Sequence, residues 1–180
     1  TAGGAGYTKG GGAQNSLSGS IGFDLGARKK GWLRVSWNYL NAMPTNHAEF
    51  GDQNQASVVK ANGGYARQIY GNAGQKNFQT VVNFAYRFTR AFELYGYIDA
   101  SKRDQRNFGY YRTAGSSGNV KAVYPDGYLP VMLSQSSDLS VVLGGRGIIG
   151  DDWHWDFSGT YGPNNVDNQV DNTLNVALYH

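Results

Sequence analysis

The sequence predicts an all-β protein: an antiparallel sheet with one apolar face and one polar face. Six stretches, near 16–26, 32–39, 78–88, 92–103, 138–149 and 153–162, alternate apolar and polar residues with period two. The ionisable residues Asp24, Arg34, Arg87, Glu93, Asp99, Arg103, Arg146, His154 and Asp156 all take the parity opposite to the apolar residues. Connections between the stretches alternate short and long.

Each strand follows from its own alternation. A Gly-rich lead-in over 1–15 precedes the first, whose apolar face is Leu17, Ile21, Phe23 and Leu25. The turn Ala27-Arg28-Lys29-Lys30-Gly31 leads to the second, with Leu33, Val35, Trp37 and Tyr39. Residues 40–77 form a long polar connection holding Gln53-Asn54-Gln55 and Gly63-Gly64. Phe78, Val82, Phe84, Tyr86 and Phe88 mark the third strand. Thr89-Arg90-Ala91 turns the chain into the fourth, with Phe92, Leu94 and Ile98. The second long connection, 104–137, contains Pro125-Asp126-Gly127, where Pro fixes φ and Gly tolerates a positive one. Leu139, Val141, Leu143 and Ile149 define the fifth strand, and Gly150-Asp151-Asp152 joins it to the sixth. There Trp153, Trp155, Phe157 and Tyr161 share one face. The Asn/Asp-rich stretch 164–175 is expected to be an exposed loop.

Two environments divide a sheet in this way. A soluble sandwich packs its apolar face into a core and turns the polar face to water. An outer-membrane barrel turns apolar residues to lipid and polar ones to a wet lumen. Composition leans toward the second. Gly (26) and Tyr (13) are abundant, and the apolar face mixes aliphatic residues with aromatic ones and glycine. Glycine weakens strands unless curvature or close contact requires it. Aromatic rings near strand ends suit a membrane interface. Short turns at one rim and long loops at the other match barrel anatomy, periplasmic side short and extracellular side long. No apolar run reaches the roughly 18 residues of a transmembrane helix.

Other signals weigh little. With no Cys, disulfides and thiolate metal sites are excluded. A net charge of +3 and a basic run of only Arg28-Lys29-Lys30 give no reason to expect nucleic acid. Gly145-Arg146-Gly147-Ile148-Ile149-Gly150 spells G-x-G-x-x-G, but a turn and strand follow where a dinucleotide site needs a helix. Ser57-Val58-Val59-Lys60 lacks the companion motifs of penicillin-interacting enzymes. His47, His154 and His180 have no ligand spacing, and 164–175 lacks the ordered calcium-loop pattern. Glu93, Asp99 and Asp156 are interspersed with Arg34, Arg87 and Arg146, which suits charges lining a lumen better than a glycosidase pair. No enzyme activity, cofactor or metal is expected.

Four segments carry a resemblance. They are Tyr124-Pro125-Asp126-Gly127-Tyr128-Leu129-Pro130, Asp138-Leu139-Ser140 with Gly145-Arg146-Gly147, Trp153 through Gly162, and Asp171-Asn172-Thr173-Leu174-Asn175. Together they resemble the barrel of TonB-dependent outer-membrane receptors; Ser16–Tyr39 is similar to an early hairpin of that barrel at pattern level. The resemblance implies a bacterial outer-membrane location and energised uptake of a scarce nutrient such as a siderophore, cobalamin or saccharide. It implies about six strands of a larger, 22-strand-type barrel, with no plug in these residues. The partners implied are membrane lipid, the remainder of the barrel with its plug, the TonB complex reached through that plug, and a small-molecule nutrient. Arg34, Arg87, Glu93, Asp99, Arg103, Arg146, His154 and Asp156 are then the lumen-facing candidates. A small outer-membrane barrel with an adhesion or scaffold role is the alternative, and a soluble carbohydrate-binding β-sandwich is a further one.

Overall fold

The computed structural model describes residues 11–47 and 68–179. It is an all-β structure of seven strands in one antiparallel sheet. They are β1 (Gln14–Leu25), β2 (Gly31–Ala42), β3 (Gly74–Arg87), β4 (Glu93–Phe108), β5 (Val131–Ile149), β6 (Trp153–Tyr161) and β7 (Asn164–Asp171). The first six follow one another across the sheet in chain order, and β7 pairs with β5. The sheet is not closed into a barrel: β1 and the β6–β7 side are its edges. A 3₁₀ turn, Val176–Tyr179, follows. No described helix is long and apolar enough to cross a membrane.

The six expected strands form where alternation placed them, but five run longer. β2 ends at Ala42, β3 begins at Gly74, β4 runs to Phe108 and β5 begins at Val131. The long connections therefore shrink to 43–73 and 109–130. The lead-in likewise gives up Gln14 and Asn15 to β1. Most of the added residues are polar, and the apolar ones among them, such as Leu40, Phe108 and Val131-Met132-Leu133, do not alternate with period two, so no apolar periodicity announced them. The Gln53, Gly63 and Ser57–Lys60 features and Ala48-Glu49 lie outside the described residues, as do residues 1–10 and His180.

The expected 164–175 loop is corrected: its first part is strand β7. β6 and β7 keep one register against β5. Tyr161 faces Val141, Asn164 faces Asp138, and Asp171 faces Val131. They are one long strand broken at Gly162-Pro163. Pro163 has no N–H to give the ladder, yet its carbonyl still accepts from Leu139 N at 3.1 Å. Asp167 and Asp171 share a face about 13 Å apart along an extended chain. Converging oxygen ligands for one calcium ion are not what a strand provides.

The register draws straight rows across the sheet. One apolar row runs Phe23, Leu33, Phe84, Gly96, Leu143, Gly159, and the next Ile21, Val35, Val82, Ile98, Val141, Tyr161. Toward the short turns lie Phe88, Phe92 and Trp155, stacked at centroid distances of 5.6 and 6.2 Å. Toward the long loops Tyr39 faces Phe78, which faces Lys102. Lys102 is thus an ionisable residue on the apolar face, and it stands at the edge of the apolar rows. Beyond it the same face turns polar, with Lys76 opposite Asp104 and Gln135 opposite Asp167.

Nothing described covers this face. Leu17 is 66% exposed, Trp153 70% and Phe157 80%, and no large side chain is fully buried. The buried apolar residues are Ile69, Ala85, Tyr128 and Val131. Three of these four sit at the long-loop end, where the two connections meet. Gln68 donates to Gly109 O at 3.1 Å and accepts from Tyr111 N at 2.7 Å. The connection 109–130 is itself folded. Arg112 pairs with Tyr128, Tyr128 Oη donates to Gly118 O at 2.8 Å, and Gly127 N closes the Pro-Asp-Gly turn on Tyr124 O at 3.1 Å. Gly127 has φ +86, as that turn chemistry anticipates.

Candidate functional site

The polar face is the site with chemical content, and it is built from alternation upward. Even positions of β1, β2, β5, β6 and β7 face the same side as odd positions of β3 and β4. All eight candidates therefore share one face. Register decides which of them meet.

Four meet at the short-turn rim. Arg87 faces Glu93, Glu93 faces Arg146, and Arg146 faces Asp156. Glu93 is nearly buried and bridges both arginines. Its Oε2 accepts from Arg87 Nε at 3.0 Å and Nη2 at 2.8 Å. Its Oε1 accepts from Arg146 Nε at 2.8 Å and Nη2 at 2.5 Å. Two forked guanidiniums on one carboxylate satisfy a group that would be costly to bury alone.

Tyr95 extends the cluster and was not among the candidates. Its hydroxyl donates to Asp156 Oδ1 at 2.6 Å, and the Arg146 guanidinium carbon lies 5.0 Å from its ring centre. Gly144, directly opposite, makes room: a Cβ there would lie 2.6 Å from the ring. The signal was present in the parity of Tyr95, but formal charge alone did not find it.

The other candidates stand apart. Both Asp99 oxygens accept from Gln79 Nε2 at 3.0 Å. Arg34 faces Gly22 and Asn83 and lines a shallow depression with Asp24 and Trp32. Arg103 lies among Asn77 and Ser136, and His154 faces Ile148. Mostly neutral polar residues fill the rows between them. Ser18, Asn38, Gln79, Ser101, Asp138 and Asn164 form one unbroken row. In it Ser101 Oγ donates to Asp138 at 3.2 Å, and Asn164 Nδ2 donates to the other oxygen of Asp138.

At the rim, Lys29 pairs with Asp24 at 2.9 Å. The hydrogen bond and charge of Asp24 hold the Lys29 ammonium above its usual pKa. The G-x-G-x-x-G segment is the end of β5 plus its turn, with Gly150 at φ +65 and β6 following. No helix opens there, so no phosphate cradle forms. Among the described residues no cluster of His, Cys, Asp and Glu is arranged to hold a metal ion.

No protein family, curated protein or solved structure matches this chain.

Proposed function

We propose that this chain forms part of the wall of an outer-membrane β-barrel of the TonB-dependent receptor kind, serving nutrient uptake. The observation that carries the reading is the pair of faces. One is apolar, uncovered and banded; the other is a hydrogen-bonded polar surface with a bridged carboxylate. A soluble sandwich needs a second layer over its apolar face, and no described residue lies there.

The dimensions support lipid as the partner. From Phe78 to Phe88 the chain spans about 33 Å at about 3.3 Å per residue. A strand tilted by about 40° converts that length to about 25 Å of height, the thickness of the apolar band in such barrels. Aromatic rings mark both limits, Phe88, Phe92 and Trp155 on one side and Tyr39 and Phe78 on the other. Lys102, at the outer limit, has a stem long enough to carry its charge past the rings. The share of transport that falls to this segment is structural: lipid outside, substrate path inside, long loops at the ligand side. The resemblance of 124–175 narrows barrel to receptor.

The test uses single cysteines in a chain that has none of its own. Cys at Phe84 is expected to react with lipid-borne probes, and Cys at Asn83, on the opposite face, with aqueous ones. A Phe84→Cys protein sealed from both probes places Phe84 in a protein core and overturns the reading.

A further inference from the structure

At the short-turn rim the polar face opens into a groove of about 640 Å³. Arg28, Lys29, Lys30, Arg87, Arg90 and Arg146 line it, with Glu93 as the only lining carboxylate. Lys29 is paired with Asp24, and Arg87 and Arg146 are paired with Glu93. Arg28 and Lys30 take part in no ion pair among the described residues. Glu93 engages only Nε and Nη2 of each arginine. A guanidinium carries five N–H donors, so this bridge fixes both forks and leaves their Nη1 donors for another acceptor.

We propose that this groove is a docking site for an acidic polypeptide segment lying extended along the rim. The inference stands on the groove and is independent of the membrane reading. Charge complementarity argues for an anion. The spread of the cations argues for an extended one. From β2 to β5 is three strand spacings, about 14 Å. An extended peptide covers that with about four or five residues and presents carboxylates about 7 Å apart on one side. A single phosphate reaches one pair of cations and leaves the rest unmatched. Trp32, exposed beside the cations on the polar face, offers contact to an apolar side chain between the carboxylates. The groove opens on the polar face, away from the apolar one, which argues against a lipid headgroup.

The experiment measures fluorescence anisotropy of labelled hexaglutamate and hexaglutamine on the full chain folded in detergent, with tripolyphosphate as a third probe. Hexaglutamate is expected to bind about tenfold or more tighter than hexaglutamine at low salt, and to weaken as salt rises. The double variant Arg28→Asn/Lys30→Gln should weaken it about tenfold by removing two of the three lining cations that stand outside any ion pair among the described residues, Arg90 being the third. Asn suits position 28, where φ is +65, so the turn is kept. Lys30→Gln alone, with no positive φ to disturb, should weaken binding about threefold. Lys121→Gln, an exposed charge removed in the 109–130 connection, should leave binding unchanged. Equal affinity for the two peptides overturns the proposal, as does a double variant that binds like the parent. Tight tripolyphosphate with no hexaglutamate binding also overturns it, and assigns the groove to phosphate polyanions.

Discussion

Glu93 illustrates how one side chain organises the polar face. It is nearly buried, yet both of its oxygens are saturated by arginine donors. Glu93→Gln keeps the shape and removes the charge. It is expected to destabilise the folded protein by about 1–3 kcal/mol, because charged hydrogen bonds are lost while both arginines stay half in solvent. Asp99→Asn, which disturbs only the Gln79 contact, should cost under about 1 kcal/mol. Urea unfolding in a fixed detergent compares the two, and equal losses would contradict the bridging role. The Lys29–Asp24 pair gives a pH expectation with a definite sign. The folded pKa of Lys29 is raised above 10.5, so the pair's contribution is complete below that value and lost as pH rises through the folded pKa. Parent and Lys29→Gln proteins should differ equally at pH 6 and pH 9 and converge only in stronger alkali, as unfolding midpoints across pH will show. Face membership of all eight candidates was legible because alternation is a local property of the chain. The Glu93 bridge was not, since it depends on the register of β3, β4 and β5 together. Tyr95 was missed because a neutral hydroxyl bears no formal charge to follow.

Among the elements, β7 is the one the sequence concealed. Asn, Asp and Gln favour turns over strands, and Pro163 reads as a stop. The segment becomes a strand because β5 extends to Val131 and offers an unpaired edge in the same register. Ladder geometry overrides propensity where the partner is already in place. A continuous strand from Trp153 to Asp171 predicts hydrogen-exchange protection on both sides of Pro163. Pro163→Ala should supply the missing donor opposite Leu139, adding about 0.5–1.5 kcal/mol of bonding against a loss of proline stiffness of about 0.4–1 kcal/mol. The net change is expected to be small, with new protection at position 163. An unprotected 164–171 would show that β7 does not form.

For the whole molecule, orientation is the open consequence of loop asymmetry. The turns at 26–30, 88–92 and 150–152 share one rim, and 43–73 and 109–130 share the other. Under the barrel reading, protease added to intact cells should cut within the long connections and spare the short turns. Within 109–130 cleavage should be slow, because that connection is braced by its own hydrogen bonds. The reverse pattern would invert the assignment. Placing Arg at Phe84 should cost about 2–4 kcal/mol if the site is near a bilayer midplane, while Arg at Asn83 should be tolerated. The all-β antiparallel sheet was legible from alternation and turns. The uncovered state of the apolar face was not, since a sequence does not state what lies against it.

The unbroken registers have a genetic corollary. From Gln14 to Ile149 no strand pair slips, so the sheet is read with a frame of two. Deleting one residue within β3 would exchange the faces of everything on one side of the cut, turning Phe84 inward or Arg87 outward. Deleting two adjacent residues would restore the frame and shorten the strand. A deletion scan should therefore show survival alternating with the parity of the deletion inside strands, and no such alternation in 109–130.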